Sequence, residues 1–141
     1  MTEAAPPRLI DALEERARQL TARTQADACV ISRVIGDVLI IVTRVTADAA
    51  PLDLGQGFLV SDYPATREVL RSGEPAVLTL EDEDVDPAEA QLLRDIGYAT
   101  LLMLPLAVVG EPWGLIELYR RAAHRFDAGA IAAARELARI G

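Results

Sequence analysis

Apolar residues recur along this chain with two different periods. From Arg8 they return every three or four positions, with arginines and glutamates between them, which predicts a first helix to about Thr24. Two runs rich in β-branched residues follow, at 28–35 and 38–45, and predict two strands. Gly36-Asp37 separates the runs and has the length and chemistry of a tight hairpin turn.

The remaining pattern predicts a mixed series of elements. In order these are an irregular stretch at 46–61, a helix at 63–71 capped by Ser61 or Asp62, a strand at 75–80, a helix at 87–96, strands at 99–109 and 113–119, and a last helix from Asp127 to Gly141. The run 99–109 is apolar almost throughout, which predicts a strand covered on both faces. The order indicates an α+β fold: an antiparallel sheet of five to six strands with helices on both faces.

Length and charge narrow the class of protein. With 141 residues the chain forms one domain, and we expect residues 1–7 to be a flexible tail and 8–141 the domain. The formal charge of −8 argues against nucleic-acid or anionic-membrane partners, because binding to phosphates depends on positive charge. All 14 basic residues are arginine, so lysine Schiff-base chemistry is excluded.

Cysteine and histidine are each present once, as Cys29 and His124. An internal disulfide and a zinc site of the usual Cys/His kind are therefore excluded, and we expect no metal. The N-terminal residues lack the basic and apolar regions of a signal peptide, and no apolar run has the length of a membrane span. We expect a cytoplasmic domain.

An ordered set of motifs carries a family resemblance. The set comprises Tyr63-Pro64-Ala65-Thr66, Ser72-Gly73-Glu74-Pro75, Ile96-Gly97-Tyr98-Ala99-Thr100, Pro105 within an apolar strand, Gly110-Glu111-Pro112-Trp113-Gly114-Leu115-Ile116-Glu117-Leu118 and Arg125-Phe126-Asp127. With these motifs the chain resembles, over nearly its whole length, a GAF domain, the small-ligand sensing module of bacterial signalling proteins.

The resemblance implies a GAF/PAS-like antiparallel sheet with a ligand pocket on one face. The N- and C-terminal helices are then packed together on the other face, often as a dimer bundle that transmits a signal. It also implies an output domain, such as a kinase or cyclase, in the full-length protein or in a partner.

Known cofactors of the family match this sequence poorly. Phytochrome-type members hold a bilin with histidines on the helix after Tyr63 and beyond Trp113-Gly114-Leu115-Ile116, and many attach it to a cysteine. Neither segment contains histidine here, and Cys29 falls in the first strand, where a buried apolar role is expected. His124 falls in a polar loop, so haem ligation is not expected either. Because the residues that hold these groups in the family are missing here, we expect no cofactor, neither a bilin nor haem.

The family also has cyclic-nucleotide-binding members and an enzymatic member. Cyclic-nucleotide-binding members carry an asparagine and a lysine ahead of the terminal Phe and Asp, and here only Phe126 and Asp127 match, which leaves cyclic nucleotides open. The enzymatic member, free methionine sulfoxide reductase, depends on several cysteines. Cys29 alone cannot supply both a nucleophile and a resolving thiol, so we expect no catalytic residues and no enzyme.

Candidate pocket residues combine apolar walls with a few polar groups, as small-molecule sites do. They are Phe58, Asp62, Tyr63, Thr66, Leu70, Leu93, Tyr98, Met103, Trp113 and Glu117. The same mixture is typical of a filled core, and that alternative stays open. Glu117 lies among leucine and isoleucine, so it either faces a polar cavity or reaches a partner such as an arginine, and if it is unpaired its pKa should be raised.

An apolar stripe on the terminal helices predicts a possible homodimer contact. Its members are Leu9, Leu13, Leu20, Ile131, Ala134 and Leu137. The stripe either pairs across a two-fold axis or packs onto its own sheet. Two functions follow: a sensor that binds an unidentified small molecule and relays through its terminal helices, or a structural homodimerisation module whose pocket is filled by its own side chains.

Overall fold

A computed structural model describes residues 8–46 and 53–141. Within these residues the helices are α1 (Leu9–Thr24), α2 (Pro64–Ser72), α3 (Pro87–Ile96) and α4 (Ala128–Leu137), with a 3₁₀ turn at Val60–Asp62. The strands are β1 (Ala28–Ile35), β2 (Val38–Thr46), β3 (Gly57–Leu59), β4 (Ala76–Thr79), β5 (Thr100–Val108), β6 (Glu111–Arg120) and β7 (Arg139–Ile140). The predicted α+β class is confirmed, with seven strands instead of five to six.

The strands form one sheet in the order β3-β2-β1-β6-β5-β4. Every pairing along this order is antiparallel, and β1 and β6 form its centre. β7 pairs in parallel with Ala107 and Val108 of β5, beyond the four residues that pair with β4. Gly114 permits the close approach of β1 and β6, because a Cβ at this position would lie 2.1 Å from the carbonyl oxygen of Ser32.

Alternating residues of the strands build two separate apolar cores. On one face, Leu102 and Leu104 of β5 pack with Leu13 and Leu20 of α1 and with α4. The other face packs against α2 and α3, with Met103 of β5 among its buried residues. The helices thus lie on both faces, as predicted.

The N- and C-terminal helices are packed together, also as predicted. Arg16 of α1 donates hydrogen bonds from Nη1 to the carbonyl oxygens of Leu137, at 2.9 Å, and Arg139, at 2.6 Å. Leu137 is the last residue of α4, where a helix attracts positive charge, and Arg139 lies just beyond it in β7. The guanidinium therefore ties the end of α4 to the middle of α1.

Three local predictions were wrong. The stretch predicted as irregular contains β3, which has only three residues and is defined by pairing with β2. The last helix ends at Leu137, because Ala138 and Ile140 bond with the free edge of β5. Neither Ser61 nor Asp62 caps α2: Tyr63 stands at the N-cap position, and Ser61 bonds instead to the carboxylate of Asp37.

Residues 1–7, predicted to be a tail, lie outside the described residues, as do positions 47–52 of the predicted irregular stretch. No described helix is both long enough and apolar enough to cross a membrane.

Candidate functional site

A small cavity lies between the sheet and the helices α2 and α3. It is lined by Val30, Leu39, Ile41, Phe58, Tyr63, Thr66, Glu89, Leu92, Glu117 and Tyr119. The cavity volume is about 20 Å³, which is room for a single water-sized group. As packed, most of the site is therefore filled by the protein's own side chains.

Glu89 supplies the first carboxyl of the cavity. It lies in the first turn of α3, is 1% exposed, and accepts a hydrogen bond from Oγ1 of Thr66 on α2. Burial raises the pKa of Glu89 to about 7, because the charged form loses its hydration; the negative charge of Asp86 adds to this, and the Thr66 bond opposes it.

Glu117 supplies the second carboxyl from the centre of the sheet, where it pairs in register with Val30 and Met103. The Oη of Tyr119 donates to its Oε2 at 2.9 Å. Burial raises the pKa of Glu117 to about 8, with the negative charge of Glu89 as the second cause, while the Tyr119 bond lowers it. Glu117 therefore faces the polar cavity, and its partner is a tyrosine rather than an arginine.

Each carboxyl keeps one oxygen without a hydrogen-bond partner among the described residues, Oε2 of Glu89 and Oε1 of Glu117. No arginine or histidine in the described part of the chain lines the cavity. The site thus offers hydrogen-bond acceptors that face the cavity and that the described residues do not satisfy, so a water, a proton or a ligand can meet them.

Asp86 fixes the two helices over the cavity. Its Oδ1 accepts from the backbone N–H of Ala88 at 3.1 Å, which caps α3, and its Oδ2 accepts from the N–H of Ala65 in α2 at 3.3 Å. One carboxylate therefore holds both helix N-termini, each of which favours negative charge.

Tyr63 forms the outer wall of the cavity. Its ring meets the ring of Phe58 edge-on, with centroids 6.1 Å apart. The same side chain also lines two surface depressions, one shared with Asp62 and Leu59 and the other with Asp62 and Asp95. Tyr63 therefore lies between the cavity and both depressions.

Four of the ten candidate pocket residues line the cavity: Phe58, Tyr63, Thr66 and Glu117. Asp62 lies in the outer depressions, and Leu70, Leu93, Tyr98 and Met103 belong to the apolar core of the same face. The structure does not bring Trp113 to the cavity. Its indole packs with the α1/α4 core, under the Arg33 guanidinium at 4.7 Å.

A bulge explains the placement of Trp113. Strict alternation from Glu117 would put it on the cavity face. The pairing of β5 with β6 shifts between Leu106 and Ala107, so that Gly114 and Pro112 have partners and Trp113 is the extra residue. The extra residue reverses the faces beyond it.

Sequence reasoning missed six lining residues, Val30, Leu39, Ile41, Glu89, Leu92 and Tyr119. For Glu89 a signal was present: it lies four and seven positions before Leu93 and Ile96, on the apolar stripe of its helix. A carboxyl on that stripe predicts a buried polar site. Tyr119 likewise lies two positions after Glu117 and so on the same face of β6.

The candidate dimer stripe packs onto its own sheet. Leu13, Leu20 and Ala134 are buried within the single chain, and Ile131 and Leu137 are partly buried in the same core. Leu9 is 38% exposed. The three buried members have no surface left for a partner in this packing.

The family follows from the whole chain. The GAF domain family model matches residues 8–140, and the protein belongs to the GAF domain family. Members of this family are in general regulatory sensor modules. A search of the curated proteins gives no match.

Solved structures share this fold at low sequence identity. The chromophore-binding domain of Stigmatella aurantiaca phytochrome P1 has a TM-score of 0.78 at 19% identity, over 94% of this chain and 52% of that one. The phycocyanobilin-bound GAF domain of a cyanobacterial phytochrome gives 0.77 at 18%, over 94% and 83%. The GAF domain of a Bacillus halodurans two-component sensor histidine kinase gives 0.76 at 14%, over 93% and 88%. The chain thus spans about half the length of the first of these.

These structures correct the prediction that no cofactor is expected. The similar structures include GAF domains with phycocyanobilin and with phycoerythrobilin bound, so the missing histidines were not sufficient grounds to set a bilin aside.

The residues around the cavity, as they are packed, do not fit a bilin. The space admits one water-sized group, and no cysteine or histidine of the described residues lines it. Cys29 is buried in the core on the α1/α4 face, where burial raises the pKa of its thiol well above the usual range. His124 is exposed in the loop before α4. A bilin would require α2 or Tyr63 to move outwards.

Proposed function

We propose that this domain is the regulatory, non-catalytic sensor module of a bacterial signalling protein, and that it binds a small molecule in the cavity between the sheet and α2/α3. The observation that carries the proposal is the pair of carboxyls, Glu89 and Glu117, which face the cavity with unsatisfied oxygens. A packed core of purely structural purpose would place apolar side chains there.

The route from the cavity to the terminal helices is short. Glu117 lies on β6 between Ile116 and Leu118, which face the opposite core and pack with α1 and α4. A ligand that binds better to one arrangement of β6 therefore biases the packing of these helices, in proportion to its difference in affinity for the two arrangements. In this proposal the output domain, in the same chain or in a partner, reads that shift in the cytoplasm.

Native mass spectrometry of the freshly purified domain, compared with its denatured mass, tests the proposal. The expected result is a discrete non-covalent added mass. It should be lost in Ile41→Phe, which fills the cavity, and kept in Ile40→Phe, whose side chain points to the other face of β2. Equal retention in both variants would contradict binding in this cavity.

A bilin is the first defined ligand to add, because similar structures contain one. The domain is mixed with phycocyanobilin and passed over a desalting column, and visible absorption that elutes with the protein reports binding. Retained pigment requires the cavity to open; pigment removed by the column would leave a smaller ligand as the candidate.

The small size of the cavity favours a second function, a structural homodimerisation module with a self-filled pocket. Because Leu13, Leu20 and Ala134 are buried in their own chain, such a dimer would use surface around Leu9 instead. A bare dimer in the native spectrum, together with no binding of any added ligand, favours this module; a bare monomer contradicts it.

A further inference from the structure

We infer that the cavity takes a small organic cation, with a protonated amine seated between Glu89 and Glu117 and its substituent leading outwards past Tyr63. This inference rests on the proposed function and names the chemistry of its ligand. The described part of the chain places two carboxyls and no basic side chain around the cavity. Each carboxyl has one oxygen without a hydrogen-bond partner among the described residues, and a cationic N–H donor is the group that both can bind at once.

The size and walls of the cavity suit an ammonium group. The room for one water-sized group matches an –NH₃⁺ and is too small for a guanidinium or a ring. The rings of Phe58, Tyr63 and Tyr119 form part of the wall, and aromatic rings attract cations electrostatically. The hydroxyl of Tyr119 donates to Oε2 of Glu117. This leaves Oε1 of Glu117 to accept a hydrogen bond from the ligand.

The N-termini of α2 and α3 converge on this region and by themselves would favour an anion. Asp86 already places a carboxylate at both, accepting from one N–H of each helix. An additional anion would therefore meet the charge of Asp86 and the ionised fraction of Glu89 and Glu117, and like charges repel.

The surface outside Tyr63 carries negatively charged groups, as the cavity does. One outer depression contains Asp62, and the other contains both Asp62 and Asp95. No arginine or histidine lines either depression within residues 8–46 and 53–141. A negatively lined approach concentrates cations at the cavity, and the formal net charge of −8 acts in the same direction.

Proton linkage gives the inference a distinctive signature. The titratable groups facing the site are Glu89 of α3, Glu117 and Tyr119 of β6, and Tyr63 before α2, with Asp86 behind Glu89. Burial keeps both glutamates partly protonated near neutral pH. A cation binds the ionised form, so binding releases a proton, and its affinity rises up to about tenfold per pH unit for each carboxyl that titrates.

The test is methyl NMR of the domain titrated with ethylammonium chloride, with ethanol, sodium acetate and sodium chloride as matched probes. The methyl groups of Val30, Leu39 and Ile41 report on the cavity, and those of Leu13 and Leu20 report on the opposite core. A probe with so few heavy atoms binds no tighter than the millimolar range. The expected result is a saturable shift of the cavity methyls with ethylammonium alone, with an affinity that rises from pH 6 to pH 8 as the linkage requires.

Substitutions of the two glutamates test whether these carboxyls bind the cation. We expect Glu117→Gln to weaken ethylammonium binding about tenfold or more, since a charged acceptor is lost, and Glu89→Gln to do the same. The exposed Asp84→Asn is the matched control and should leave the affinity unchanged. If Glu117→Gln does not fold, the inference is still tested by the pH dependence of ethylammonium binding to the wild-type domain and by the affinity of Glu89→Gln.

Three results would overturn the inference. The first is a shift of the cavity methyls by acetate or ethanol without one by ethylammonium, which would leave the sensor function standing with another ligand class. The second is no cavity shift with any probe, in which case the native-mass experiment judges the sensor function separately. The third is ethylammonium binding that is independent of pH and of both glutamates.

Discussion

The two faces of the sheet are built from alternating residues of the same strands, yet they differ in chemistry. The α1/α4 face is an almost continuous apolar core, closed by the Arg16 contact to the end of α4. The α2/α3 face has a core too, but places Glu89 and Glu117 around a small cavity. A one-residue alternation thus separates a face that serves stability from a face with unused hydrogen-bonding capacity.

The largest effect of a single substitution is expected on the apolar face. Leu13→Ala removes a side chain that is 1% exposed, so it should lower the free energy of unfolding by about 2–5 kcal/mol, through lost burial and the void left behind. Urea denaturation measures this change. Leu9→Ala, in the same helix but exposed, is the control and should change stability by less than about 0.5 kcal/mol. Equal effects would mean that α1 does not pack as described.

The cavity face should make stability depend on pH. The folded-state pKa values of Glu89 and Glu117 lie above the unfolded value, so the folded state holds more protons between about pH 4.5 and 8 and loses stability as pH rises through that range. Since one pKa unit corresponds to about 1.36 kcal/mol, each carboxyl accounts for a loss on the order of 3–5 kcal/mol.

The double variant Glu89→Gln/Glu117→Gln checks this dependence. Its stability, relative to the wild type, should increase as pH rises from about 5 to 8. Glu111→Gln, exposed at the start of the same strand β6, is the matched control. A constant difference between wild type and double variant across this range would contradict the raised pKa values.

The helix pair over the cavity depends on one carboxylate. Asp86→Ala should lower the free energy of unfolding by about 1–2 kcal/mol, because it removes the cap of α3 and the bond to Ala65 of α2. Thermal unfolding at fixed pH provides the measurement. The exposed neighbour Asp84→Ala should have almost no effect, and a loss of similar size there would point to the general charge of the loop instead.

Replacing a threonine by valine should change the stability in opposite directions on the two faces. Thr43 pairs with Ile31 on the α1/α4 face, and its buried Oγ1 has no hydrogen-bond partner among the described residues. Thr43→Val should therefore raise stability by about 1 kcal/mol. Thr66→Val on the cavity face removes the donor to Glu89 and should lower it by a similar amount. Chemical denaturation of both variants measures the free energy of unfolding. A lower value in both variants would mean that Oγ1 of Thr43 has a hydrogen-bond partner.

Much of the fold was predictable because its signals are local. The periodicity of α1 and the Pro87 start of α3 fix these helices within a residue of the observed bounds. β3 and β7 were not predictable, since two or three residues carry no periodic signal and both strands are created by pairing with an existing edge.

The candidate site was predictable only in part. Glu117 could be identified because a carboxyl in an apolar strand is conspicuous, whereas Val30 and Leu39 reach the cavity through the register of β1, β2 and β6. Trp113 was misplaced because the bulge that turns it depends on its pairing with β5. Neither register nor bulge can be read from one strand alone.

The most direct test of the difference between the two faces is a pH titration of the side-chain carboxyl ¹³C shifts of Glu89 and Glu117. We predict two coupled steps with midpoints near 7 and 8, because loss of hydration disfavours the charged form of both groups. Midpoints near 4.3, the value of a hydrated glutamate, would show that water reaches both carboxyls freely and would contradict the cavity as described.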